Sequence, residues 1–272
     1  MHRLTTFCRA FALLSAIGAC SAHAAGNVTA LVFGGSLRVT GDVIDNAIRI
    51  GPGANPDEFE LEGLNGTTVN GLVVTTVAGV VRNVKIDLSA GSDELYIEDV
   101  LIPRKLEILT GPGADVVDLT DCEVGDTTRI ATGSDDDKVV LSTDVFQGRL
   151  IVQTDAGDDS ISIDLVTAAD RVRIANGQGD DDVTIGGSSE FRSKVRVQAI
   201  AGNDTISIDD ALFGAPAQFT FAGGDDGATF TNATFASRVL VNGGAGIDSF
   251  TDGGGNTFAL GLSMKKVETL LP

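Results

Sequence analysis

Eight aspartates recur along the chain at a nearly constant interval, and carboxylates in such a series could bind a cation. The interval is 22 residues, with one of 23, for Asp93, Asp115, Asp137, Asp159, Asp181, Asp204, Asp226 and Asp248. A glycine stands two positions before the aspartate in seven of the eight cases, and Asp135 takes that place in the other. A fixed period of this length is typical of solenoids, in which each coil of chain stacks on the previous one.

Each period contains two segments in which apolar and polar residues alternate, as in half-buried strands. With the repeating aspartate as position 0, one segment has apolar residues at +2 and +4, such as Ile161 and Ile163. The other has them at −9 and −7, such as Leu150 and Val152. Its outward positions carry Arg and Lys, which we expect to keep the strand soluble and to pair with nearby acids.

Because the strand order repeats in every period, equivalent strands must pair in parallel, about 4.8 Å apart. Parallel crossovers are generally right-handed. The sequence therefore predicts an all-β fold, a right-handed parallel β-solenoid (β-helix) of about nine or ten coils, each of roughly 22 residues. Regular coils are predicted over residues 84–252.

The two ends of the solenoid depart from the pattern. Residues 25–83 are predicted to form an N-terminal cap and degenerate coils, one around Asn46 and a blurred one around Phe59 and Leu61. Residues 253–272 are predicted to form a C-terminal cap, because Asp252 cannot enter an apolar column cheaply.

Residues 1–24 have the basic start, short apolar stretch and small residues of a signal peptide. Ala22-His23-Ala24 fits ordinary cleavage, whereas Ile17-Gly18-Ala19-Cys20 resembles a bacterial lipobox that would leave a lipid anchor on Cys20. Either outcome predicts an exported protein, located outside the cell, on its surface or in the periplasm, and the lipobox predicts a lipoprotein. No apolar run is long enough for a transmembrane segment.

The chain is strongly acidic, with 38 Asp and Glu residues against 19 Lys and Arg. Removing Arg3 and Arg9 with the signal segment changes the formal net charge from −19 to −21. Such a charge disfavours nucleic acid and favours cations as partners. Carboxylates about 4.8 Å apart repel each other by roughly 1 kcal/mol even in water. Calcium would offset this repulsion, because it accepts 6–8 oxygen ligands in flexible geometry.

The glycine–aspartate turns resemble the hemolysin-type calcium-binding repeats of RTX proteins, whose motif is Gly-Gly-x-Gly-x-Asp-x-apolar-x. Residues 243–250 match this motif in full, and residues 110–117 and 176–183 lack only its first glycine. The resemblance implies calcium bound by the aspartates and by backbone carbonyls of neighbouring turns, and implicates Asp115, Asp137, Asp159, Asp181, Asp204, Asp226 and Asp248. The family repeats its motif every nine residues, so the resemblance concerns the turn and not the whole architecture.

Acids directly before the repeating aspartate extend the predicted metal site to Asp136, Asp158 and Asp180. Alternatively, aspartate and glycine are simply the ordinary residues of tight turns, in which a carboxylate accepts backbone N–H groups. Both interpretations stay open at this point.

The pattern predicts an exported, non-enzymatic, acidic solenoid, a calcium-binding structural or cell-surface protein with no catalytic residues. An alternative is an adhesin or glycan-binding module whose partner is a cell-envelope polysaccharide or another surface protein. A remote alternative is a β-helical polysaccharide lyase. That enzyme class needs a cleft with basic residues and aromatic platforms, whereas this chain lacks Trp and has Tyr96 as its single tyrosine.

Overall fold

The computed structural model describes residues 26–271, which contain 32 β-strands and no helix. The strands form three sheets of 12, 12 and 8 members. The predicted signal segment, including Cys20, lies outside the described residues. No helix capable of crossing a membrane occurs in the part of the chain that the structure describes.

The N-terminal region is a first coil covered by an antiparallel cap. Its strands are β1 (Asn27–Phe33), β2 (Ser36–Thr40), β3 (Ala47–Pro52), β4 (Glu58–Gly63), β5 (Thr68–Val69) and β6 (Val74–Ala78). β2 and β3 form the coil that contains Asn46 at position 0. β1 pairs antiparallel with β2, β4 with β3, and β6 with β4.

The prediction of a blurred coil around Phe59 and Leu61 is therefore wrong. These side chains are buried, but β4 runs back along β3 because the chain reverses at Asn55, and the Gly53 N–H donates to the Glu58 carbonyl at 2.8 Å. The coil of Asn46 consequently stacks directly on the coil of Asp93. Residues 51–83 lack the Gly-x-Asp motif that marks the corner of the regular coils.

Each regular coil contributes one strand to each sheet. The strands are β7 (Val84–Asp87), β8 (Glu94–Glu98), β9 (Leu101–Ile102), β10 (Leu106–Pro112), β11 (Val116–Thr120), β12 (Glu123–Val124), β13 (Thr128–Ser134), β14 (Lys138–Ser142), β15 (Val145–Phe146), β16 (Leu150–Gln153), β17 (Ser160–Asp164), β18 (Thr167–Ala168), β19 (Val172–Ala175), β20 (Asp182–Gly186), β21 (Ser189–Phe191), β22 (Val195–Gln198), β23 (Thr205–Asp209), β24 (Ala211–Phe213), β25 (Ala217–Thr220), β26 (Gly227–Thr231), β27 (Thr234–Phe235), β28 (Val239–Asn242) and β29 (Ser249–Asp252).

The predicted parallel β-solenoid is confirmed by the pairing register. Sheet 1 contains the strands before the Gly/Asp turn, sheet 2 the strands after it, and sheet 3 the short third strands. Equivalent residues pair directly, as in Ile108↔Ile130 in sheet 1 and Val139↔Ile161 in sheet 2. The right-handed sense of the coil stays a prediction.

Apolar side chains at the inward positions form continuous columns inside the stack. Ile86, Ile108 and Ile130 are fully buried in one such column. Toward the C-terminal end aromatic rings take over, with Phe213 stacked on Phe235 at a centroid distance of 4.7 Å. Cys122 is a buried, free cysteine.

The C-terminal segment continues all three sheets through β30 (Thr257–Phe258), β31 (Leu262–Lys265) and β32 (Thr269–Leu271). Asp252 stands opposite Phe230 and is exposed, as its charge requires. Leu260 and Leu270 are about two-thirds exposed, at 65% and 64%. The segment predicted as a cap thus forms a last, open-faced coil.

A second corner, between sheets 2 and 3, was not predicted. It holds a residue with positive φ six positions after the repeating aspartate, or seven in the 23-residue coil: Asp99, Asp121, Thr143, Leu165, Ser188, Asp210 and Asn232. Their φ angles lie between 50° and 65°. Asp and Asn tolerate this left-handed conformation better than most residues, which explains their frequency at this position. The additional residue of the long coil, Gly187, lies at the same corner.

Candidate cation site at the aspartate ladder

The eight repeating aspartates form one column at the corner between sheets 1 and 2, as the sequence predicted. We call this column the aspartate ladder. Each of the eight carboxyls is at most 2% exposed. The predicted ligands Asp115, Asp137, Asp159, Asp181, Asp204, Asp226 and Asp248 are therefore brought together, and Asp93 belongs to the same column.

Every ladder carboxylate accepts a backbone hydrogen bond through Oδ1 from the residue one coil earlier. The Asp137 N–H, for example, donates to Asp159 Oδ1 at 2.9 Å. The N···O distances along the ladder are 2.8–3.0 Å. At the two ends the Asn46 N–H donates to Asp93 Oδ1, and the Asp248 N–H donates to Glu268 Oε2. The ladder therefore connects successive coils where regular sheet pairing is interrupted.

The acids at position −1 form a second, exposed column that connects the coils in the opposite direction. The Asp158 N–H donates to Asp136 Oδ1, and the Asp180 N–H donates to Asp158 Oδ1, both at 2.8 Å. The Asn203 N–H continues the series to Asp180 Oδ1 at 2.6 Å. The predicted ligands Asp136, Asp158 and Asp180 thus lie beside the ladder, on its solvent side.

The glycine at position −2 is required by the close approach of neighbouring turns. Gly179 has a φ of 127°, and a Cβ at this position would collide with the carbonyl oxygen of Gly157 in the preceding coil. The same collision with a carbonyl oxygen would occur at Gly113, Gly157, Gly202, Gly224 and Gly246, and Asp135 is the exception at this position, with a φ of 81°. Residues with side chains rarely adopt this conformation, so glycine lets the turns stack closely enough for the ladder bonds to form.

The second carboxyl oxygen of every ladder aspartate, Oδ2, is buried and has no hydrogen-bond partner among the described residues. It faces the inner side of the corner, because a Cβ on Gly243 would collide with Asp248 Oδ2. Threonines occupy the equivalent position in three other coils, as Thr110, Thr132 and Thr154. Burial raises the pKa of Asp115, Asp137 and Asp159, and the neighbouring hydroxyls of these threonines oppose part of that increase.

Burial dominates the electrostatics of the ladder, because it removes solvent from the charged carboxylate. It raises the pKa to about 7 for Asp93, Asp115, Asp137, Asp181 and Asp204. It raises the pKa to about 6 for Asp159 and Asp226. Backbone hydrogen bonds oppose this shift, while negative charges in neighbouring turns add to it. At neutral pH the ladder therefore requires either protons or a cation to neutralise it.

The ladder offers oxygen atoms as ligands, and calcium fits this type of donor atom. A buried, unpartnered carboxylate oxygen in each coil is a hard oxygen ligand of the kind calcium prefers. Residues 26–271 contain no group of three or more His, Cys, Asp or Glu side chains placed to hold a metal ion. Further ligands would therefore have to be backbone carbonyls, hydroxyls or water, and calcium binding stays a prediction.

Asp144 is a buried carboxyl that the sequence analysis missed. It is 0% exposed, and its Oδ1 accepts the Cys122 N–H at 2.8 Å, while its Oδ2 has no partner among the described residues. Desolvation raises its pKa to about 8. The sequence could have indicated this buried carboxyl, because Asp144 stands at a position that is occupied in other coils by Val100, Cys122 or Val166.

Together, the three sheets and the ladder define the class of this protein, a parallel β-solenoid with 22-residue coils joined by buried carboxyls. A comparison with protein-family models, curated proteins and solved structures found no match to this chain. The resemblance to hemolysin-type calcium-binding repeats therefore rests on the turn residues alone.

Proposed function

We propose that the protein is an exported, non-enzymatic β-solenoid with a structural or cell-surface role, in which calcium neutralises the aspartate ladder and stiffens the stack. The observation that carries this proposal is the column of eight buried, unpartnered Oδ2 atoms. Burying a carboxylate without a compensating partner reduces the free energy of unfolding, and this cost recurs at each of the eight ladder aspartates. The likeness of the turns to hemolysin-type repeats supports the same cation.

Within this proposal the protein residues have separate tasks. Oδ1 of each ladder aspartate holds the backbone N–H of the previous coil, and Oδ2 remains free to face a positive charge. The exposed acids Asp136, Asp158 and Asp180 would attract cations to the corner. Bound calcium would supply the positive charge that the described residues do not place there.

A structural role accounts for the perturbed carboxyls without a catalytic one. The ladder aspartates occur once in every coil, whereas a catalytic pair would be confined to one place in the stack. Both histidines of the chain, His2 and His23, precede the described residues. Export is supported by the sequence of residues 1–24, and lipidation at Cys20 would place the protein on a membrane surface.

Isothermal titration with calcium tests the metal part of this proposal. Residues 25–272 are compared with an Asp159→Asn/Asp181→Asn variant, which keeps both Oδ1 acceptors and removes two ladder charges. A Glu60→Gln/Glu123→Gln variant is the matched control, because it removes two exposed acids away from the ladder. We expect fewer bound ions, or binding about tenfold weaker, in the ladder variant alone. Heat of binding that is absent, or equal in all three proteins, would contradict calcium at the ladder.

The location is tested by expressing the full chain and fractionating the cells. We expect the protein outside the cytoplasm, and membrane association that is lost in a Cys20→Ser variant if the lipobox is used. Full-length protein retained in the cytoplasm would contradict export.

A further inference from the structure

The positive charge of this acidic protein is concentrated on the outer face of sheet 1. Residues 26–271 contain 17 of the 19 Lys and Arg residues, since Arg3 and Arg9 precede them. Ten of these 17 occupy positions −10 and −8 of their coils, and we call them the cationic face: Arg38, Lys85, Lys105, Arg129, Arg149, Arg171, Arg173, Lys194, Arg196 and Arg238. Of the 38 acids, Glu107 is the one at these positions.

Like charges are stacked directly on one another in the centre of this face. Arg173 pairs with Arg196 across β19 and β22. At position −10, the carbonyls of Arg149, Arg171 and Lys194 each accept an N–H from the preceding coil, so these three residues also lie in one column. All five side chains are exposed. Equal charges on adjacent strands are destabilising, so folding alone does not explain this arrangement.

The expected pairing of these cations with nearby acids is found at one end of the face and not at its centre. Lys85 Nζ lies 2.9 Å from Glu107 Oε2, which is an ion pair. The neighbouring Arg129 instead donates to the neutral amide oxygen Oε1 of Gln153 at 3.1 Å. The ion pairs of the described part of the chain do not include the five central cations. Their charge is therefore available to an anion from outside the protein.

The cationic face has at least one cation in each of seven successive coils, from Arg38 to Arg196, and the next coil interrupts it with Pro216 and Gln218. At its N-terminal end Arg38, Lys85, Lys105 and Arg129 line a shallow groove of about 470 Å³. Beyond the groove, the five central cations lie on three successive coils, and neighbouring coils are about 4.8 Å apart. A linear, repeatedly charged partner that runs along the axis can contact these seven coils in turn.

Three kinds of partner could supply the anions, and the face favours one. A second copy of the chain would present the exposed acids beside its ladder from a corner of the solenoid and not from a flat face, which disfavours the broad contact of roughly 1,000 Å² expected of a stable interface. Positions −10, −8 and −6 carry no aromatic residue for base stacking, which disfavours single-stranded nucleic acid. Gln153 and Gln198 at position −6 offer amide groups to sugar hydroxyls.

We propose that the cationic face binds a linear polysaccharide bearing carboxylate groups, laid along the solenoid axis. The net negative charge of the protein does not prevent this, because salt screens charges beyond about 8 Å at physiological ionic strength. The inference adds a partner to the structural role proposed above and does not depend on calcium binding.

Polygalacturonate is the probe that tests this inference. Its binding to residues 25–272 is measured by biolayer interferometry, with dextran as a neutral polymer and with polyphosphate and single-stranded DNA as other polyanions. The face variant is Arg171→Gln/Arg173→Gln/Arg196→Gln. Its matched control, Lys138→Gln/Arg192→Gln/Lys266→Gln, removes the same charge from exposed positions elsewhere. Circular dichroism and melting temperature check that both variants fold.

We expect binding of polygalacturonate that weakens as salt rises from about 50 to about 200 mM, and that falls about tenfold or more in the face variant alone. We also expect the melting temperature of the face variant to stay equal or rise, since like charges are removed. Absence of polygalacturonate binding, equal loss in the control, or preference for DNA, polyphosphate or dextran would overturn the inference. A concentration-dependent dimer that disappears in the face variant would assign the face to a second copy instead.

Discussion

Each ladder aspartate serves both as a hydrogen-bond acceptor and as a charge, and these two properties can be separated. Acceptance requires only one oxygen atom, and the oxygen of a neutral amide can also accept. The neutral Asn46 stands at the same position of the first coil, where its Oδ1 has no partner among the described residues. The charge resides on a carboxyl whose Oδ2 is buried and unpartnered. The hydrogen bonds to Oδ1 thus stabilise the stack, whereas the buried negative charge of the same carboxylates destabilises it.

An Asp159→Asn substitution should separate the two effects. The amide oxygen can still accept the Asp137 N–H, now 2.9 Å from Asp159 Oδ1, and the buried charge is gone. We expect stability at about pH 8 in EDTA to equal or exceed that of the wild type. Asp159→Ala leaves the N–H unsatisfied and should cost about 1–3 kcal/mol. Urea unfolding measures the stability of both variants. An Asn variant as unstable as the Ala variant would show that the carboxylate charge itself is needed.

Stability should also depend on pH in a direction opposite to that of most salt-bridged acidic proteins. Burial raises the pKa of the seven ladder carboxyls from Asp93 to Asp226 to about 6–7. The folded state therefore retains protons that the unfolded chain releases above about pH 4, and the free energy of unfolding falls as pH rises through 6–7. We expect unfolding in EDTA to require more urea at about pH 5 than at about pH 8.

A variant with Asn at positions 159, 181 and 204 should show a smaller pH dependence than the wild type. The Glu60→Gln/Glu123→Gln control should keep the full dependence, because its exposed acids are outside the ladder. Stability that is constant or increases between these pH values would contradict raised pKa values in the ladder.

At the scale of the elements, the Gly/Asp turn determines how closely one coil can approach the next. Gly179→Ala places a Cβ against the Gly157 carbonyl at a φ of 127°, and should destabilise the protein by about 2 kcal/mol or more. Gly71 is the control, since its φ is 78° but open space surrounds it. Gly71→Ala should cost about 1 kcal/mol. Equal losses in thermal unfolding would mean that backbone conformation, and not close stacking, selects glycine in the turn.

The sequence predicted the elements whose signal repeats. The alternating residues at −9, −7, +2 and +4 predicted the strands, and the constant interval predicted that Asp137, Asp159 and Asp181 would stack. The repeating pattern could not predict structural features that fall outside the repeat. The reversal at Asn55 and the open C-terminal coil each depend on a single local sequence. The buried Asp144 has counterparts of other residue types in two coils, where Ser189 Oγ and Asn256 Oδ1 accept the equivalent N–H.

Details of the site also went unpredicted, for a physical reason. Spacing places the aspartates in a column, but it does not tell which way a carboxyl points. The structure shows Oδ1 along the stack and Oδ2 facing inward, and this orientation follows from unsatisfied N–H groups at the turn. The left-handed residues at +6, such as Asp121 and Asn232, are often Asp or Asn, and this composition is the sequence signal of the second corner.

The whole molecule is a stack in which each coil contacts mainly its neighbours, so its stability is close to a sum of coil and interface contributions. The ladder, the exposed acids beside it and the cationic face are all columns that run along this stack. Charges of one sign therefore accumulate at one corner and charges of the other sign on one face. This separation of charge follows from the repeating sequence, because the same type of residue recurs at the same position of many coils.

The central claim is that the buried ladder needs a positive partner at neutral pH, which either protons or calcium can supply. The most direct test is the melting temperature of residues 25–272 in EDTA and in millimolar calcium, at about pH 5 and about pH 8. We predict that calcium raises the melting temperature strongly at the higher pH and little at the lower pH, where protons already neutralise the carboxyls. Coincident curves in EDTA and calcium at the higher pH would contradict the claim.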